Sequence, residues 1–112
     1  MKFVVVAQFG ELSTDRGYPV MVDDSPIALF LVDGQVHAID DRCTHAGASL
    51  AAGAVCDGEV TCPRHGAVFD VRSGEAIGPP AEDDVGTWPV RVIDGRVEIG
   101  IGQPEDPTEG RV

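Results

Sequence analysis

Residues 41–68 read DRCTHAGASLAAGAVCDGEVTCPRHGAV. Near the middle stands Asp57-Gly58, between the short runs Ala54–Cys56 and Glu59–Thr61. An Asp-Gly pair flanked in this way is the strongest local signal for a two-residue β-hairpin, because a type I′ turn needs positive φ at both central positions. One cysteine and one histidine stand on each side of it, Cys43 with His45 and Cys62 with His65. Closing the hairpin is expected to bring these two clusters side by side at one end of a sheet.

The same turn signal occurs twice more. Asp33-Gly34 joins Ala28–Val32 to Gln35–Ile39, and Asp94-Gly95 joins Val90–Ile93 to Arg96–Ile99. In the last pair Val90, Val92, Val97 and Ile99 alternate with Arg91, Arg96 and Glu98, so the first set is expected to pack inward and the second to meet water. Further strands are expected at Phe3–Ala7, Tyr18–Val22 and Ala67–Val71. Helix is confined to single turns near Gly10–Leu12 and Ala46–Leu50, since no stretch keeps a 3.6-residue period. Without a βαβ pattern, the fold class is all-β: an antiparallel β-sandwich or small barrel.

A chain of 112 residues holds one core and is too short to divide credibly into two. Residues 1–102 are read as a single domain. Residues 103–112, QPEDPTEGRV, combine two prolines with three acidic residues and one apolar position, and are read as a flexible tail. No run approaches the roughly 20 apolar residues that span a bilayer, and the first residues lack a signal-peptide pattern. A soluble, cytoplasmic protein is expected, with no membrane and no nucleic-acid partner. The formal net charge of −11 repels nucleic acid and favours basic protein surfaces. Composition does not choose between that use and solubility alone.

Three cysteines in a chain without a secretion signal make a poor disulfide framework and a better metal site. Each cluster offers a thiolate and an imidazole within one turn, and sixteen residues separate His45 from Cys62. The same four residues also suit tetrahedral zinc, as in a structural zinc-binding module, but zinc fingers usually keep Cys with Cys and His with His. A Cys–His nucleophile would leave the duplicated cluster unexplained.

The form C-x-H, sixteen residues, C-x-x-H resembles the Rieske iron–sulfur motif, in which two Cys hold one iron and two His the other. The resemblance runs from about Phe3 to Ile101. The stretch HGAVFDVRSGEAIGPPA, from His65 to Ala81, is similar to the second cluster loop, the following strand and the proline-containing third loop of small Rieske ferredoxins. By this resemblance Cys43, His45, Cys62 and His65 are the ligands of one Rieske-type [2Fe–2S] cluster. Residues 41–81 or so form a cluster-binding subdomain of loops on a Rieske-type fold, and Pro79 and Pro80 belong to the loop that covers the cluster.

The resemblance also implies a role. The chain is expected to be an electron-transfer ferredoxin and not itself an enzyme, carrying one electron from a flavin-dependent NAD(P)H ferredoxin reductase to a terminal non-haem iron oxygenase, and working as a monomer. The small Rieske-like subunit of an NAD(P)H nitrite reductase is the runner-up, although many such subunits lack the four ligands. High-potential Rieske proteins of respiratory chains place Ser and Tyr where this sequence has Ala67 and Phe69, and a disulfide at positions matching Ala48 and Arg64. Without those hydroxyls or that disulfide, a potential at the low end of the Rieske range, around −150 mV, is expected.

Other residues are read more plainly. Cys56 is expected to be a small buried hydrophobe, His37 a surface or packing residue, and Trp88 part of the core. Asp40, Asp41 and Arg42 lead into the first cluster, where they either orient the loop by turn hydrogen bonds or face water.

Overall fold

Short alternating runs broken by Asp and Gly turns give eleven antiparallel strands among the described residues of a computed structural model, which describes residues 2–43, 48–64, 66–78 and 83–102. In chain order they are β1 (Lys2–Gln8), β2 (Tyr18–Val22), β3 (Ser25–Val32), β4 (Gln35–Asp40), β5 (Ala54–Cys56), β6 (Glu59–Thr61), β7 (Val68–Asp70), β8 (Ala76–Gly78), β9 (Thr87–Trp88), β10 (Val90–Ile93) and β11 (Arg96–Ile101). They form three sheets, ordered β1-β11-β10, β2-β3-β4-β9 and β5-β6-β7-β8. Every pairing is antiparallel. No helix among the described residues is long and apolar enough to cross a membrane.

The three Asp-Gly pairs all turn hairpins, with aspartate φ of 51°, 52° and 52° and glycine φ of 78° in each. A fourth hairpin, between β2 and β3, turns on Asp23-Asp24 with φ of 47° and 68°. Aspartate tolerates this left-handed region better than most residues, so two in succession close the turn without glycine.

The second sheet serves two cores because β3 is apolar on both faces. Ile27 and Leu29 pack with Ala38 of β4, Val22, Ala7, Val97 and Ile99, in a lower core shared with the first sheet. Ala28, Phe30 and Val32 point to the other face and pack with Leu50, Val60, Ala67, Phe69 and Val71 in an upper core shared with the third sheet. A strand covered on both faces reads as a continuous apolar run, which is the form of IALFLV. Full burial of each large side chain contributes ~1.5–3 kcal/mol.

Some expectations need correction. Glu98 is 8% exposed, not on a wet face, because β11 is the central strand of its sheet. Val5 and Arg91 flank it there, and Arg91 Nε donates to Glu98 Oε1 at 2.7 Å while its guanidinium lies 4.1 Å from the centroid of the Phe3 ring. Val92, expected inside, is 42% exposed because β10 is an edge strand. Cys56 is exposed for the same reason, on edge strand β5. Trp88 is half-buried against the lower core. The first helical turn is a 3-10 turn at Phe9–Glu11, and the second falls at Leu50–Ala52, with Ala46 and Gly47 outside the described residues. Strands β8 and β9 were not anticipated. The expected tail, 103–112, also lies outside the described residues.

Gly17 shows how closely the upper core is packed. A Cβ there would lie 2.8 Å from Ala51 Cα and 2.8 Å from Phe30 Cε1, whereas a Cβ at Gly10 meets nothing within 4 Å. Gly17→Ala is expected to destabilise the fold by ~1–3 kcal/mol through overpacking, and Gly10→Ala to change it by less than ~1 kcal/mol. Urea unfolding of the two variants checks this, and equal midpoints would refute the packing argument.

Candidate metal centre

The chain leaves the second sheet at the end of β4 through two consecutive aspartates with different tasks. The Asp40 N–H donates to Gly86 O at 2.9 Å, and its carboxylate accepts from Gly86 N–H at 3.1 Å and from the Trp88 indole N–H at 2.8 Å. The Asp41 N–H donates to Pro26 O at 3.0 Å. Its carboxylate reaches forward along the chain: Oδ1 accepts from Ala51 N–H at 2.7 Å, and the Ser49 hydroxyl lies 2.9 and 3.0 Å from the two oxygens. The choice left open by the sequence is thus resolved, with Asp40 and Asp41 hydrogen-bonded into the loops and Arg42 exposed.

Cys43 follows, inside the loop that Asp41 spans. Its N–H donates to Ala48 O at 2.8 Å. Cys62 follows β6 in the same manner, its N–H donating to Ala67 O at 2.7 Å. Two loops from distant parts of the chain are therefore closed by one device, a cysteine N–H bonded to the carbonyl five residues on. In the second loop the chain turns back at Gly66, with φ of 79° and its N–H donating to Cys62 O at 3.1 Å. That conformation is where glycine carries little cost.

Both cysteines are 1% exposed and belong to the upper core, among Phe30, Leu50, Val60, Ala67 and Phe69. Neither forms a disulfide. Of the four residues that the sequence nominates, the structure thus brings Cys43 and Cys62 into one dry core. His45 and His65 lie outside the described residues, as do Pro79 and Pro80. His37 sits elsewhere, half-buried on β4 opposite Phe30, where burial, helped by Arg72, holds its pKa below the usual histidine value.

The segment around 79–82 is framed on both sides. The Ala76 N–H donates to Asp84 Oδ1 at 2.9 Å, and Val85 N–H to Gly74 O at 2.8 Å. Gly74 has φ of 78°, and a Cβ there would lie 2.2 Å from Val85 O, so only glycine allows that approach. From sequence, Asp40 and Asp41 stood between orienting the loop and facing water, and Asp84 was not singled out. An aspartate before a loop was the only signal, and it is shared with ordinary exposed turns.

The donor set fits an iron–sulfur group. Two free thiols on separate loops, each fixed by its own backbone amide and kept from water, are soft donors of the kind such clusters take. A family model described as the Rieske [2Fe-2S] domain matches residues 2–89. The anthranilate 1,2-dioxygenase ferredoxin subunit of Burkholderia cepacia is 35% identical over 92 residues, covering 82% of this chain and 85% of that protein. The 3-phenylpropionate/cinnamic acid dioxygenase ferredoxin subunit of Escherichia coli K12 is 41% identical over 92 residues, covering 80% and 87%. The ferredoxin in the complex of reduced oxygenase and oxidized ferredoxin in carbazole 1,9a-dioxygenase matches with a TM-score of 0.81 at 30% identity, over 87% of this chain and 100% of that one.

The Asp40 bonds give a readout of their own, because Trp88 is the single tryptophan. Asp40→Ala leaves the half-buried Trp88 indole N–H without its acceptor, and is expected to cost ~1–3 kcal/mol and shift native tryptophan emission. Fluorescence spectra with urea unfolding check it; an unchanged spectrum and midpoint would show that the bond contributes nothing.

Proposed function

The chain belongs to the Rieske [2Fe–2S] domain family, and from this we propose that it is the ferredoxin of an oxygenase system, accepting one electron from a flavin-dependent NAD(P)H reductase and delivering it to a terminal non-haem iron oxygenase. The observation that carries the reading is the pair of buried, unbridged thiols of Cys43 and Cys62 on matching loops. In this proposal those thiolates hold one iron, and the imidazoles of His45 and His65 hold the other. When bound, such a cluster supplies a one-electron couple, formally moving from zero to about minus one charge on reduction because the imidazoles are neutral.

The chain's own residues set the conditions of that couple. Phe30, Leu50, Val60 and Phe69 exclude water on the core side, and the loop amides hold the cysteines in place. Ala67 and Phe69 are fully buried in the same core and carry no hydroxyl, so neither can donate a hydrogen bond that would favour the more negative reduced form. This supports a potential near the low end of the Rieske range, around −150 mV.

An electron carrier is also what the ligand inventory leaves room for. The sequence has three histidines; assigning two to the cluster leaves His37 alone, too few for the two-His, one-carboxylate iron site that activates oxygen. Catalysis therefore belongs to the partner. The net charge of −11 suits encounter with basic docking faces on reductase and oxygenase, in a cytoplasmic setting with a monomeric carrier.

Three outcomes test the reading. The purified protein is expected to be red-brown and to give a rhombic Rieske-type paramagnetic signal after dithionite reduction, whereas a colourless protein containing zinc would refute it. Ala67→Ser and Phe69→Tyr are each expected to raise the reduction potential by tens of millivolts, as a hydrogen bond worth ~1 kcal/mol does at about 59 mV per tenfold. A lowered or unmoved potential in both removes the hydrogen-bond argument. Electron transfer to a partner oxygenase is expected to slow as salt rises through about 0.1 M, and a rate indifferent to salt removes the steering.

A further inference from the structure

The two cysteine loops share their inner bond but not their outer closure. The second loop, from Cys62 to Ala67, is the end of a ladder: Thr61 and Val68, on either side of it, are paired between β6 and β7. Among the described residues the first loop has no such ladder. β4 stops at Asp40, and the next ordered turn after the loop is the 3-10 turn Leu50–Ala52. Besides the Cys43 amide bond, among the described residues a side chain bridges the gap. Asp41 is fixed to the second sheet by its N–H on Pro26 O, and its carboxylate holds Ser49 Oγ and the buried Ala51 N–H.

We propose that Asp41 is a positioning residue for the ligand Cys43, its carboxylate doing for the first loop what the Thr61–Val68 pair does for the second. The proposal rests on the Rieske reading above. Cys43 lies two residues beyond Asp41, and its own amide bond to Ala48 is enclosed by the larger span from Asp41 to Ala51. Leu50 and Ala51 pack in the same core as Cys43, and buried Gly17 leaves no room beside Ala51, since a Cβ there would lie 2.8 Å from Ala51 Cα. Loss of the carboxylate strands a buried amide at the far end of the loop, and the thiol loses its outer restraint.

This role depends on the acceptor atom and not on the charge, which separates it from a general effect of acidic surface. In Asp41→Asn the amide oxygen still accepts from Ala51 N–H, and the amide nitrogen can donate to Ser49 Oγ. Asp41→Ala removes both bonds. Ser49→Ala removes only the hydroxyl arm, at an exposed position, and keeps the test open should Asp41→Ala fail to fold. Val97→Ala, in the lower core, serves as a variant that weakens the fold without touching either loop.

The measurement is the rate at which the reconstituted holoprotein loses its visible absorbance to a ferrous-iron chelator, together with the paramagnetic line shape after reduction. Asp41→Ala is expected to release iron about tenfold faster, the scale of one unmet buried amide, with a broadened spread of g values. Ser49→Ala is expected to move the same way by about two- to threefold. Asp41→Asn and Val97→Ala should keep the wild-type rate and line shape. The proposal falls if Asp41→Ala and Ser49→Ala match the wild type, if Asp41→Asn behaves like Asp41→Ala, or if Val97→Ala sheds iron as fast as Asp41→Ala. A coloured wild type with unaffected variants overturns the positioning role alone, and a colourless wild type overturns the Rieske reading and this role together.

Discussion

A cysteine amide bonded to the carbonyl five residues on, made once in each of two loops, is the interaction on which the site depends. It ties Cys43 to Ala48 and Cys62 to Ala67 before any side chain is considered. A loop held by one such bond is still soft, since a single amide contributes only ~1 kcal/mol net. Each loop therefore needs a rigid floor and an outer closure. The floor is the upper face of β3, with Phe30 fully covered, and the third sheet supplies the opposite wall through Val60, Phe69 and Val71. Sequence neighbours do not provide this. Apolar residues of β3, of the 3-10 turn Leu50–Ala52, of β6 and of β7 must all arrive before either thiol is covered.

That dependence explains which features were legible in the sequence. The Asp-Gly hairpins were readable because a type I′ turn imposes a local demand, positive φ at two successive positions, that few residue pairs meet. All three nominated pairs turn, and the strands around Asp57-Gly58 begin and end where the pattern put them. Asp23-Asp24 meets the same demand without glycine and so left no comparable mark. Strands β8 and β9, of three and two residues, are too short to show a period and owe their existence to partners elsewhere in the chain, Val68 and Phe69 for one and Ala38 and Ile39 for the other.

Burial was less legible than secondary structure because it depends on a strand's place in its sheet. Alternation along Val90–Ile99 puts Glu98 on the outer face, and there it stays, but flanked by β1 and β10 and closed over by Arg91. Val92 and Cys56 sit on edge strands, and their exposure follows from strand order, which alternation does not encode. For the site itself, the ligand types and spacing were visible while the supports were not. Cys43 and Cys62 stand out as residues, whereas Asp40, Asp41 and Asp84 look like any acidic turn until the amides they accept from are placed beside them.

Those aspartates change how the acidic composition is understood. A net charge of −11 was open to two readings, solubility or steering. The structure adds a third use, because Asp40, Asp41 and Asp84 each accept backbone N–H bonds that join separate stretches of the chain. A carboxylate is an efficient choice for that task, since it offers several acceptor sites on a short side chain. The charge that comes with it is not neutralised by an amide, so every loop closed in this way adds to the negative field of the molecule. Such a field opposes arrival of a further electron and attracts a basic partner. Loop closure and the potential and partner proposed above would then follow from one selection of residue type, and substitutions that keep the acceptor while removing the charge are the means of separating them.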